Sequence, residues 1–129
     1  MLSARSHQML AVLRIVTALC FMEHGCQKLL GFPGAPGGHM PAALTLSWFA
    51  GCLELFGGLL VLVGFQTRLV AFLLSGEMAI GYWMAHAPKS FFPTLNGGDA
   101  AILFCFVFLY LVFAGPGTWS IDTRRGATA

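Results

Sequence analysis

Four apolar stretches of near-spanning length, separated by loops rich in glycine and proline, constrain this chain more than any other feature. They run over about residues 9–30, 43–63, 68–86 and 99–114. A bilayer core about 30 Å thick calls for roughly 20 apolar residues in a helix. The loop from Gly31 to His39 holds Pro33, Pro36 and four glycines, so it cannot continue a helix. Gly64 to Thr67 reads as a tight polar turn. Pro88, Pro93, Asn96, Gly97 and Gly98 mark the third loop, and Gly115-Pro116-Gly117 stops the last stretch. That stretch is short for a span, so its helix is expected to begin inside the loop or to lie under a thinned interface. The chain therefore reads as all-α, an integral membrane four-helix bundle forming one domain over residues 1–129.

Composition agrees. The chain is 57% hydrophobic and 9% charged, against about 25% charged residues in soluble domains. Arg14 interrupts the first apolar stretch and Glu23 and His24 follow it, a pattern unlike a cleaved signal peptide, so a retained helix is expected. The basic residues are scattered and form no run, which gives nucleic acid no footprint. Arg5, Arg68, Arg124 and Arg125 fall on the side of the termini, with Lys28 and Lys89 at the margins of the other two loops. The positive-inside rule then places both termini in the cytoplasm. Trp48, Tyr82, Trp83 and Trp119 sit near segment ends, where interfacial aromatics belong.

Within this apolar frame the charged residues stand out. Arg14, Glu54 and Glu77 each lie inside a stretch expected to span the membrane. A charge at a helix centre costs about 2.5–3.5 kcal/mol on insertion scales and usually faces the bundle interior, paired. At about 100° per residue, Arg14, His24 and Lys28 share one face of the first helix. Gly51, Glu54 and Gly58 share a face of the second, and Glu77 aligns with Gly81 and Met84 on the third, with His86 pointing away. The simplest assembly sets Arg14 between Glu54 and Glu77, with His24 and Lys28 above it. The bland alternative is a buried ion pair that fixes helix register.

His24 and Lys28, four residues apart, suit recognition of a quinone carbonyl, a carboxylate or a lipid phosphate, and equally suit an interfacial cap with the lysine snorkelling outward. Asp99 and His86 join them in an outer polar layer. No histidine or carboxylate spacing supports a metal site, and no motif for haem, flavin, an iron–sulfur cluster or a nucleotide occurs. Cys20, Cys26, Cys52 and Cys105 form no CxxC pair and read as small buried hydrophobes. Met78 and Met84 read as packing residues.

Four motifs together resemble the DoxX family over nearly the whole chain. The first is Leu13-Arg14-Ile15 followed by His24-Gly25, Lys28-Leu29 and Gly31; the second runs from Gly51 through Glu54, Gly57 and Gly58 to Gly64, Thr67 and Arg68. The third is Gly97-Gly98-Asp99-Ala100, and the fourth is Gly115-Pro116-Gly117 with Ser120 and Asp122. Arg14, His24, Lys28, Glu54, Arg68 and Asp99 match the pattern, whereas Glu77 and His86 fall outside it. The resemblance implies a small bacterial inner-membrane protein linked to quinone, thiol or sulfur-compound redox, with quinone as the expected cofactor. With Glu77 added for its depth and His86 for its place in the outer polar layer, Glu54, Arg14 and Glu77 are the candidate catalytic residues, and His24, Lys28, Asp99 and His86 the candidate ligand-binding ones. Expected partners are membrane lipid and a protein partner in a membrane complex or a homo-oligomer. Two other readings stay open: a non-catalytic membrane scaffold subunit, and a small proton-coupled transporter with Glu54 and Glu77 as relay acids.

Overall fold

The computed structural model describes residues 2–126. Four helices carry the fold: α1 (Ser6–Leu30), α2 (Leu46–Val63), α3 (Thr67–His86) and α4 (Asp99–Ala114). The first three are long and apolar enough to cross a membrane, and α4 is a shorter apolar helix beside them. The protein is an all-α membrane protein. Gly31 ends α1 in the left-handed conformation (φ 66°), as a helix C-terminus favours. Helix α2 starts at Leu46, later than the expected Ala43. Leu44 already has φ 66°, and the Thr45 hydroxyl caps the new start by accepting from the Trp48 amide.

Helix α1 packs along α2, and α3 packs most extensively on α4. The core joins the two pairs through Ala18, Phe21, Val61, Leu74, Phe108 and Leu111. Phe21 meets Phe108 edge-on with ring centroids 4.8 Å apart, a favoured aromatic geometry. The outer surface is apolar as well: Val16, Leu60, Phe72, Leu103, Phe106 and Phe113 are all exposed. A soluble bundle would turn polar residues outward, so this surface is suited to lipid.

One end of the bundle is tied by charged groups bonded to backbone. Arg14 is completely buried. Its Nε donates to Pro116 O at 2.7 Å and its Nη1 to Val61 O at 2.7 Å and to Leu62 O. Its Nη2 donates to Trp119 O at 2.9 Å and Thr118 O at 3.4 Å. Val61 and Leu62 lie in the last turn of α2, the negative end of the helix dipole, where the Gly64 amide also donates to Val61 O. This corrects the expected assembly: Arg14 pairs with neither Glu54 nor Glu77. Five carbonyl oxygens use up the guanidinium's donors, and no carboxylate is needed.

The same end carries two more caps. Arg68 Nη1 donates to Val112 O at 2.5 Å and Phe113 O at 2.8 Å, closing the C-terminus of α4. The Asp122 carboxylate accepts from the Gln66 and Thr67 amides, both at 2.9 Å, at the N-terminus of α3. Gly117 (φ 71°) lets the tail lie on α1, since a Cβ there would stand 2.7 Å from both Ala11 N and His7 O. Arg14, Arg68 and the Asp122 tail, with the Thr67 amide it caps, thus work together as a structural clasp.

Two predictions follow from the clasp. Replacing Arg14 with methionine strands several buried carbonyls, so stability should fall by about 3 kcal/mol or more. In thermal unfolding, adding Glu54→Gln should be additive within about 0.5 kcal/mol, as for sites sharing no partner; a rescue would restore the Arg14–Glu54 pairing. Burial raises the Asp122 pKa, but the Thr67 and Gln66 amides and nearby Arg125 outweigh it and hold the carboxyl below its ordinary 3.8. A depressed acid contributes stability above its ordinary pKa and loses it as pH falls through the folded value. Asp122→Asn should therefore cost about 1 kcal/mol at neutral pH, the usual worth of a cap, and the gap to wild type should close below about pH 4.

Candidate functional site

The polar site lies toward the other end of the bundle, and glycines build it. A Cβ on Gly25 would stand 2.6 Å from Leu55 N and 2.9 Å from Gly51 O, so the α1 and α2 backbones touch there. Gly51 in turn lies under Lys28, whose Cβ would be 2.9 Å from a Cβ at that position. This close approach of small residues, usual between membrane helices, delivers Lys28 to Glu54. Lys28 Nζ stands 2.5 Å from Glu54 Oε1. Glu54 is only 3% exposed, and it lies in a π-helical turn, Leu53–Gly57, interrupting α2. Such turns recur at functional sites.

The ion pair borders a cleft of about 750 Å³ between α2 and α3. Phe49 and Leu53 form one wall, Phe72 and Leu73 the other, and Lys28, Glu54 and Glu77 supply the charged groups. The four wall residues are about half exposed or more on the outside of the bundle, so the cleft opens sideways toward lipid. Gly76 and Gly81 line it on either side of Glu77, and a Cβ on either would meet nothing within 4 Å. Their missing side chains leave the space beside the acid open.

The carboxylates in this cleft are under-bonded. Glu54 Oε2 and both carboxylate oxygens of Glu77 are buried without a hydrogen-bond partner among the described residues. Glu77 lies within Coulombic reach of Glu54 and Lys28. One lysine therefore stands against two acids in an apolar setting. Buried polar atoms are nearly always satisfied, so three such oxygens beside one cleft call for a proton, a water or a ligand group to complete them.

The candidate residues divide accordingly. Lys28, Glu54 and Glu77 come together, while four others do not line the cleft. Arg14 belongs to the clasp. His24 is exposed and packs edge-on against Phe104, with centroids 5.8 Å apart, although it remains within Coulombic reach of Glu54. His86 Nδ1 lies 3.0 Å from Asn96 O, in a network where Asn96 Nδ2 donates to the Tyr82 hydroxyl and to Ser90 O. Asp99 is exposed in the first turn of α4, where a negative charge favours the helix dipole. Met78, Met84 and the glycines of α3 are cleft residues that composition disguises as packing. The alignment of Gly81 and Met84 with Glu77 was the available signal.

Comparison with known proteins agrees with this architecture. The DoxX profile matches residues 9–87. An uncharacterized protein of Haemophilus influenzae is 41% identical over 119 residues, covering 89% of each chain. The inner membrane protein YqjF of Escherichia coli is 32% identical over 131 residues, covering 86% of this chain and 87% of its own. An uncharacterized membrane protein of Mycobacterium tuberculosis is 30% identical over 143 residues, covering 91% of this chain and 81% of its own. No solved structure matches the chain. With the profile spanning more than half of its length and the relatives most of it, this chain belongs to the DoxX family.

Proposed function

We propose that the cleft between α2 and α3 is a quinone site and that the protein serves a membrane oxidoreductase as its quinone-interacting subunit. The observation that supports this most is the set of unpartnered carboxylate oxygens beside Lys28, at the charged end of an apolar cleft open to lipid. A lipid-soluble ring with a polar edge enters such a cleft sideways. Its tail stays among lipid chains, and its head reaches the charges.

A quinone supplies two-electron redox chemistry, taking up two protons on reduction. In this reading Lys28 Nζ donates to a ring oxygen, and Glu54 and Glu77 carry protons at their carboxyl oxygens. Phe49, Leu53 and Phe72 flank the ring and keep water from it. Electrons come from a partner protein or from a thiol or reduced sulfur compound at the membrane face. The positive-inside reading sets the clasp at the cytoplasmic face and Lys28 toward the outer one. The scaffold reading draws support from the clasp, because Arg14, Arg68 and Asp122 are all occupied in closing helix ends.

Quinone co-purification separates the two. Protein extracted from quinone-rich membrane should carry quinone, and Gly81→Leu, which fills the cleft without a backbone clash, should reduce its content at least tenfold at unchanged melting temperature. Glu54→Gln should lower it as well. Quinone-free wild-type protein would leave the scaffold reading standing.

A further inference from the structure

The unpartnered atoms also say which oxidation state fits. Glu54 Oε2, Glu77 Oε1 and Glu77 Oε2 have no donor within reach among the described residues, and each is an acceptor while its carboxyl is ionised. Lys28 supplies the nearby donors and already bonds Glu54 Oε1. A quinone head carries two carbonyl acceptors and no donor. Placed here it can accept from Lys28 or from a protonated carboxyl, but it brings no donor to the oxygens that remain. A quinol head carries two hydroxyl donors and meets the deficit directly. If one carboxyl holds a proton, two of the three oxygens still need a donor. Leaving a buried acceptor unmatched is the more costly side of hydrogen bonding, so the donor-bearing form is favoured.

We infer that the cleft holds the reduced, dihydroxy-aromatic head in preference to the quinone, with its hydroxyls donating to Glu54 and Glu77. This inference rests on the quinone reading of the cleft. It makes Glu77 the determinant of redox-state preference and Lys28 a donor common to both forms. Preferring the quinol raises the midpoint potential of the bound couple, which helps draw electrons onto quinone from a weakly reducing donor.

The test uses the full chain in lipid nanodiscs under anaerobic conditions, with decylbenzoquinone and decylbenzoquinol as the two probes. The quinol should bind at least tenfold more tightly, equivalent to raising the potential of the bound two-electron couple by about 30 mV. Glu77→Leu should bring the ratio toward one by weakening quinol binding more than quinone binding. Glu77→Gln, which keeps one of the two acceptors, should fall between. Quinone binding as tight as quinol binding overturns this inference and leaves the quinone site intact. Failure of both probes to bind overturns this inference and the quinone reading together. Displacement of quinol by decyltrimethylammonium at equal or lower concentration also overturns the inference, by showing a cation site. The wild-type ratio decides even if neither Glu77 variant folds.

Discussion

The fold depends on a single buried guanidinium. Arg14 bonds the last turn of α2 and the carbonyls of Pro116, Thr118 and Trp119 from the middle of α1. Three separate parts of the chain thus meet on one side chain. An ammonium could not reach them all, because only the planar fork presents five donors in fixed directions. The cost of burying the charge is offset by carbonyl dipoles at a helix end, with the Asp122 carboxylate within Coulombic reach but making no hydrogen bond to it. The surrounding caps follow the same logic: Arg68 on the end of α4 and Asp122 on the start of α3.

Closing one end in this way leaves the other free to splay. Helix α1 stays on α2 through the Gly25–Gly51 contact, and α3 stays on α4. Between the two pairs α2 and α3 part, and the cleft opens where Glu54 and Glu77 face it. Division of labour among the charges is therefore spatial. The clasp satisfies its charged groups, whereas the cleft leaves carboxylate oxygens unmatched.

Much of this was legible in advance. Spanning length and low charge indicated a membrane bundle, and the phase of Gly51, Glu54 and Gly58 correctly put all three on a buried face. The Glu77, Gly81 and Met84 alignment marked one lining of the cleft. The pairing of the charges was not legible. Charge complementarity suggested Arg14 with a glutamate, yet Lys28 takes that role and Arg14 turns to main-chain oxygens. His24 and Lys28 share a helix face by periodicity but differ in environment, because Gly51 lies under Lys28 and Phe104 beside His24.

The sequence by itself determined the class: apolar length compels helices to span, glycine and proline end them, and few charges can be tolerated without partners. Only the tertiary structure decided which partners those are. Every residue carries the same backbone carbonyl, so an arginine satisfied by carbonyls leaves no complementary residue to find in the sequence. The cleft is hidden for a similar reason. Gly76 and Gly81 are readable in the sequence, but whether their missing side chains leave a space depends on how two helices part, which residue identity alone does not encode.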